Sequence, residues 1–133
     1  MSRPYYRSLT DHKVGPLDQA LEIAVLDEPG AGGGHHDYVV GIIKEHAEFR
    51  SSSLHELARI KFQNGPMKES GVNGVSIEAL IAINIDRLRC FQAGPYACEA
   101  NGNALAHLES ALECLQARTR ERLARNVEGT STI

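Results

Sequence analysis

Two arginines spaced by four, Arg118 and Arg122, are the side chains in this sequence best suited to holding an anion. On a helix that spacing puts both on one face, and two guanidinium forks can grip a phosphate bidentately. The same spacing also describes a solvated helix end, where the macrodipole favours positive charge. Phe91 can stack on a base or fill a core. Asn101 can read a base edge with its amide or cap a helix. The remaining candidates lead away from catalysis. His35 and His36 are adjacent, so on a strand they point to opposite faces, and no cysteine or carboxylate stands at a zinc-type spacing from them. The run Gly30-Ala31-Gly32-Gly33-Gly34 lacks the Lys-Ser/Thr ending of a phosphate-binding loop and precedes a strand. His107 stands beside Leu108 at the edge of an apolar stripe, which favours a partly buried, hydrogen-bonded histidine over a general base. No Gly-x-Ser-x-Gly motif is present, and no carboxylate pair or metal cluster supports hydrolysis. The residues form no catalytic constellation, and no metal or cofactor is expected.

The elements that must position these groups lie in residues 76 to 125. Ile77, Leu80, Ile81, Ile85, Leu88 and Phe91 recur three and four apart, as do Leu105, Leu108, Leu112, Leu115, Thr119 and Leu123. Each set forms one helical stripe. The turn Gln92-Ala93-Gly94-Pro95 between them makes an antiparallel αα-hairpin with the stripes facing each other. Ser76 is the expected N-cap. The first helix has room for about sixteen residues and the second, starting near Cys98, for about twenty-eight, roughly 24 Å against 42 Å. The second therefore overruns the first, carrying Leu115, Thr119 and Leu123 beside Arg118, Arg120, Arg122 and Arg125. An apolar stripe beside arginines on a projecting helix suggests an oligomer with an anion site at the contact.

Upstream, residues 1 to 17 read as an extended arm. Strands are expected at 20–27, 36–44 and 57–63, where aliphatic residues near-alternate, with loops at 28–34 and 45–53, the latter with a helical turn over Glu45 to Arg50 as its alternative. The fold class expected is α+β: a small N-terminal antiparallel β meander (1–66), then the helical hairpin (76–126) and a tail (127–133), all one domain. The chain has 133 residues and a net charge of -3, so no global field attracts a nucleic acid polymer or a membrane surface. Three cysteines, Cys90, Cys98 and Cys114, make an odd number, which reads as reduced thiols in a cytosol. The residues Met-Ser-Arg-Pro-Tyr-Tyr do not resemble a signal peptide, and no apolar run approaches membrane-spanning length.

A set of motifs in one order is similar to a bacteriophage family. They are Phe62-Gln63-Asn64-Gly65-Pro66, Gly71-Val72-Asn73-Gly74, Arg87-Leu88-x-x-Phe91-Gln92-x-Gly94, Cys98-x-x-Asn101, Ala104-Leu105-x-x-Leu108-Glu109-x-Ala111-Leu112, Arg118-Thr119-x-x-Arg122-x-x-Arg125 and Val127-Glu128-Gly129-Thr130. They resemble the helical-hairpin domain shared by anti-Thoeris and anti-CBASS cyclic-nucleotide sponges over residues 57 to 130. The β-rich N-terminal part places the chain nearer the anti-Thoeris branch. The resemblance implies a non-enzyme in the host bacterial cytoplasm. Such a protein holds cyclic ADP-ribose isomers such as glycocyclic ADP-ribose, or cyclic di- and trinucleotides, without cleaving them, and does so as a homo-oligomer, usually a hexamer. Carried over by position, Phe91 would stack on the base, Asn101 would hydrogen-bond it, and Arg118 and Arg122 would pair with the pyrophosphate. Two departures stand out. Relatives usually have Cys-Arg-Glu-Asn where this chain has Cys98-Glu99-Ala100-Asn101, and a tryptophan near Cys114. The alternative expectation is a structural or protein-binding adaptor that uses the hairpin; a phosphodiesterase finds no metal or acid-base cluster to support it.

Overall fold

A computed structural model describes residues 7–133 of the chain. They form two compact units: a sheet unit that runs to Gly65 and takes in residues 72–74, and a helical unit, residues 66–71 with 75–133. The α+β class expected from the sequence is what the structure shows, an antiparallel sheet followed by helices.

The sheet is a four-stranded antiparallel meander in the order β1 (Arg7–Leu9), β2 (Glu22–Val25), β3 (Asp37–His46), β4 (Ser51–Lys61). Ile23 faces Val40 and Ala24 faces Val39 across β2 and β3. Alternate residues of β3 turn inward, so that Asp37, Val39 and Gly41 are buried. With Ala24 and Val25 they make the small core of this unit. The expected three strands are therefore four. The supposed arm contains β1, paired outside β2 from Arg7↔Val25 to Leu9↔Ile23. It also runs into a one-turn helix, α1 (Pro16–Ala20), where Pro16 stands at the helix start with its φ already helical. Both pieces are too short for periodicity to reveal. The first six residues of the arm lie outside the described residues.

The expected loop at 45–53 is instead a tight reversal within a long β3–β4 hairpin. A 3₁₀ turn at Ala47–Phe49 is followed by Arg50 at φ 47°, a left-handed conformation adopted here without the usual Gly or Asn. That missing glycine or asparagine is why the reversal reads as loop in the sequence. The register slips between Val40 and Gly41, so that Leu57 is an extra residue on β4. Gly41 lies tight against the bulged strand, where a Cβ would sit 2.2 Å from the His55 carbonyl oxygen. Gly41→Ala is expected to cost about 2 kcal/mol or more, read as a lower urea midpoint at unchanged slope. A cost below about 0.5 kcal/mol would mean that the bulge relaxes freely.

Two carboxylates of the sheet unit, Asp37 and Asp27, are held locally. Asp37 holds Arg59 in a fork, Nε to Oδ1 at 2.6 Å and Nη2 to Oδ2 at 2.8 Å, on the face they share diagonally across β3 and β4. The Asp27 carboxylate accepts from the backbone N–H groups of His36 and Asp37, and His35 Nδ1 donates to the Asp27 carbonyl at 2.7 Å. The paired histidines thus brace the entry to β3. The Asn73 side chain brackets the end of β4, accepting from Asn64 N at 2.8 Å and donating to Asn64 O at 2.7 Å. Beside it Gly74 lies where a Cβ would be 2.4 Å from the Phe62 carbonyl carbon. The Asn-Gly motifs flanking residues 64 to 74 are therefore a backbone clasp.

In the helical unit a one-turn α2 (Met67–Ser70) precedes α3 (Ile77–Gln92) and α4 (Glu99–Ala124). The sixteen residues of α3 equal the expected length, and Ser76 caps it by accepting from Ala79 N at 3.0 Å. The 26 residues of α4 overrun α3 by about 15 Å at roughly 1.5 Å per residue. The facing stripes are present but thinly covered. Ile85 is buried, and Leu80, Leu88, Phe91, Leu105, Leu108, Leu112 and Leu115 are half-buried. At the open end Ile77 and Leu123 are 54% and 59% exposed. No helix among the described residues is long and apolar enough to cross a membrane.

Candidate functional site

Phe91 ends α3 and Asn101 lies in the first turn of α4, so the turn between the helices brings them to one end of the hairpin. Gln92 sets that turn. Its side-chain amide donates to the Cys98 carbonyl at 3.1 Å and accepts from the Cys98 N–H at 3.0 Å. Cys98, not Asn101, is the N-cap, with Sγ accepting from Asn101 N at 3.4 Å. A thiol makes a weak cap, which is why its role is easily missed beside an asparagine. The correction leaves the Asn101 amide uncommitted to capping. Arg87, one turn before Phe91, lays its guanidinium over the ring with Cζ 4.9 Å from the centroid. That i,i+4 pair was legible in the sequence and went unread. It lies against one face of the half-buried ring. Glu99 opens α4 as an exposed residue, where the positive end of the helix favours a carboxylate. His107, expected at the seam edge, is exposed.

Arg118 and Arg122 lie at the opposite end of α4. Four arginines crowd this end, and three are engaged. Arg120 pairs with Glu113, Arg125 pairs with Glu121 and donates to the Ile133 carbonyl at 2.9 Å, and Arg122 pairs with Glu128 at 2.9 Å. Among the described residues Arg118 is the exposed member with no hydrogen bond or ion pair.

Arg122 does more than face outward. All three of its nitrogens hold residues 127–133: Nε to the Glu128 carboxylate, Nη1 to the Thr132 carbonyl at 2.6 Å, and Nη2 to the Val127 and Thr130 carbonyls at 3.0 and 3.1 Å. The chain turns back there because Asn126 takes a left-handed φ of 61° while Val127 N bonds Arg122 O and Asn126 N bonds Leu123 O. This is a Schellman ending with asparagine in the glycine place. Residues expected as a plain tail are thus a folded strap, tied also through Lys68 N to the Gly129 carbonyl at 3.0 Å. The ion pair across six residues becomes legible only once Asn126 is seen as the reversal.

The four candidates therefore form two pairs rather than one cluster. Asn101 lies about 26 Å from Arg118 and about 32 Å from Arg122 along α4, at roughly 1.5 Å per residue. A small cyclic nucleotide does not span that distance within one protomer. An open groove of about 220 Å³ between the helices, lined by Ala82, Ile85, Arg89, Glu109, Leu112 and Glu113 among others, contains none of the four. Among the described residues no three His, Cys, Asp or Glu side chains are grouped to hold a metal ion.

Residues 55–120, which take in most of β4, all of α3 and most of α4, match the family described as "Acb2/Tad1, hairpin domain". These residues belong to the Acb2/Tad1 hairpin family. Over 75 residues it is 49% identical to "Thoeris anti-defense 1" of Bacillus phage SBSphiJ7, a match covering 56% of this chain and 53% of that relative. The match thus spans about half the length of the curated relative. In Acb2/Tad1 terms the matched residues include Phe91, Asn101 and Arg118, while Arg122 and the strap it holds fall just past the family match.

Proposed function

We propose that this protein is a phage anti-Thoeris protein that binds a cyclic nucleotide immune signal in the host cytoplasm and sequesters it without cleavage. The ligand class is a ring-closed nucleotide carrying phosphates, cyclic ADP-ribose isomers foremost and cyclic di- and trinucleotides beside them. The observation that carries the reading is the placement of a stacking-and-amide pair, Phe91 and Asn101, and an arginine pair, Arg118 and Arg122, at opposite ends of α4 in a hairpin of this family. The site is then completed between copies of the chain. An α4 running antiparallel to its counterpart brings the Phe91 end of one protomer to the arginine end of another. The thin burial of the hairpin stripes supports such assembly, since short helices in water draw most of their stability from packing. A homo-oligomer, in the family's manner a hexamer, is the expected form.

Sequestration needs no bond-breaking group. Effectors respond to free ligand, and nanomolar affinity, about -12 kcal/mol, removes it stoichiometrically. Assembly excludes water from the arginines, which strengthens their charge-assisted bonds to phosphate. The test is calorimetric titration of the purified protein with a panel of cyclic ADP-ribose isomers, cyclic dinucleotides and cyclic trinucleotides. At least one is expected to bind with a submicromolar constant and to be recovered chemically intact after denaturation. Hydrolysed product would replace this reading with a phosphodiesterase. Failure of the whole panel would leave the protein-binding adaptor.

A further inference from the structure

The strap held by Arg122 bears on what the proposed site can accept. A phosphate arriving at the free Arg118 finds, one turn along the same face, an arginine whose Nε already carries the Glu128 carboxylate. Arg122 is 18% exposed and Glu128 39%, so the pair is partly shielded from solvent. Four of its five N–H donors are already taken, so an arriving phosphate competes for the guanidinium with Glu128 and the strap carbonyls.

We infer that Glu128 is a specificity-determining residue of this site, its carboxylate holding the place on Arg122 that a ligand phosphate takes. The inference rests on the sequestration reading in taking Arg122 as an anion ligand. Exchange releases more than one carboxylate, because the Val127, Thr130 and Thr132 carbonyls share the same guanidinium and residues 127–133 are folded around it. A ligand must therefore replace several acceptors together. Two linked phosphates, one on Arg118 and one on Arg122, do so; a single phosphodiester resting on Arg118 leaves the strap in place. The site thus discriminates in favour of a pyrophosphate-bearing ring.

The experiment uses the full chain and inorganic pyrophosphate as its minimal probe, with the best-binding cyclic ADP-ribose isomer alongside. Glu128→Gln keeps the shape of the side chain and removes its charge. Its affinity for pyrophosphate is expected to rise about 3- to 10-fold over wild type. Glu128→Asp, which keeps the charge, is expected to stay within about twofold of wild type. A residue that only shapes the strap would give the opposite sign, with Gln binding more weakly. If Glu128→Gln does not fold, hydrogen exchange of amides 127–132 in wild type decides: it should quicken on saturation with pyrophosphate, and unchanged or slower exchange overturns the inference. Equal or weaker pyrophosphate binding by Glu128→Gln, or none by either protein, overturns it too. A pyrophosphate gain in a protein that ignores every cyclic nucleotide would sink the sequestration reading and leave the competition at Arg122 standing.

Discussion

An Arg118→Ala, Arg122→Ala double variant is expected to lose about 100-fold or more in affinity for a pyrophosphate-bearing cyclic nucleotide while keeping its sedimentation behaviour. A hydrogen bond to a charged group contributes about 1.5–3 kcal/mol. Two guanidinium groups removed together account for roughly 3–6 kcal/mol, and each 1.4 kcal/mol is a factor of ten. The singles should differ in kind. Arg118 is exposed and holds nothing else, so Arg118→Ala removes a ligand contact alone. Arg122→Ala also frees residues 127–133, since Glu128 and three carbonyls lose their common donor. It should therefore speed hydrogen exchange of the strap in the unliganded protein, where Arg118→Ala should not. Because both contacts would serve one pyrophosphate, their effects are expected to be coupled rather than additive. Calorimetry on the four proteins of that cycle measures the coupling. A double variant within threefold of wild type would place the anion elsewhere.

How much of this was legible in the sequence depends on the range of the interaction concerned. Helices α3 and α4 were read from apolar residues three and four apart, and the Ser76 cap from its place before that pattern, because these are contacts within one or two turns. Strands β2 and β3 were read from alternation. β4 was read only from its second half, since residues 51–56 are polar and exposed apart from the half-buried Leu54 and show no alternation. β1 was missed because three residues carry no period, and its pairing is decided by the edge that β2 leaves open. At the site, residue types and helix positions were legible while their commitments were not. Cys98 took the cap that Asn101 was free to take, and Arg122 was claimed by a carboxylate six residues along the chain, across a left-handed asparagine. The separation of the two pairs along α4 was implicit in the residue numbers. Sequence alone does not supply the second copy that would bring them together.

The largest expected effect on folding lies in the sheet unit, at the fork between Asp37 and Arg59. Asp37 is buried and its side chain 11% exposed, against 30% for Arg59. Removing the guanidinium by Arg59→Met takes the two-pronged partner from a shielded carboxylate, and breaking a buried pair costs about 3–5 kcal/mol. Because Arg59 is partly solvated, the low end of that range, about 3 kcal/mol, is expected. Replacing both residues, Asp37→Leu with Arg59→Met, removes the desolvated charge together with its partner and should recover most of the loss, to within about 1 kcal/mol of wild type. The side-chain hydrogen bond to Asp37 raises the pKa of Arg59 above its ordinary value. A raised folded-state value gives stability that is fully present below the unfolded value and lost only as pH climbs through the folded one. The Arg59 side of the pair therefore contributes a constant term from acid to mildly alkaline pH, and urea midpoints of the single and double variants can be compared at neutral pH without a correction for it. A single variant that loses less than 1 kcal/mol would show that the carboxylate is resolvated as the strands part. A double variant no better than the single would show that the Asp37 side chain stabilises the unit by more than its pairing with Arg59.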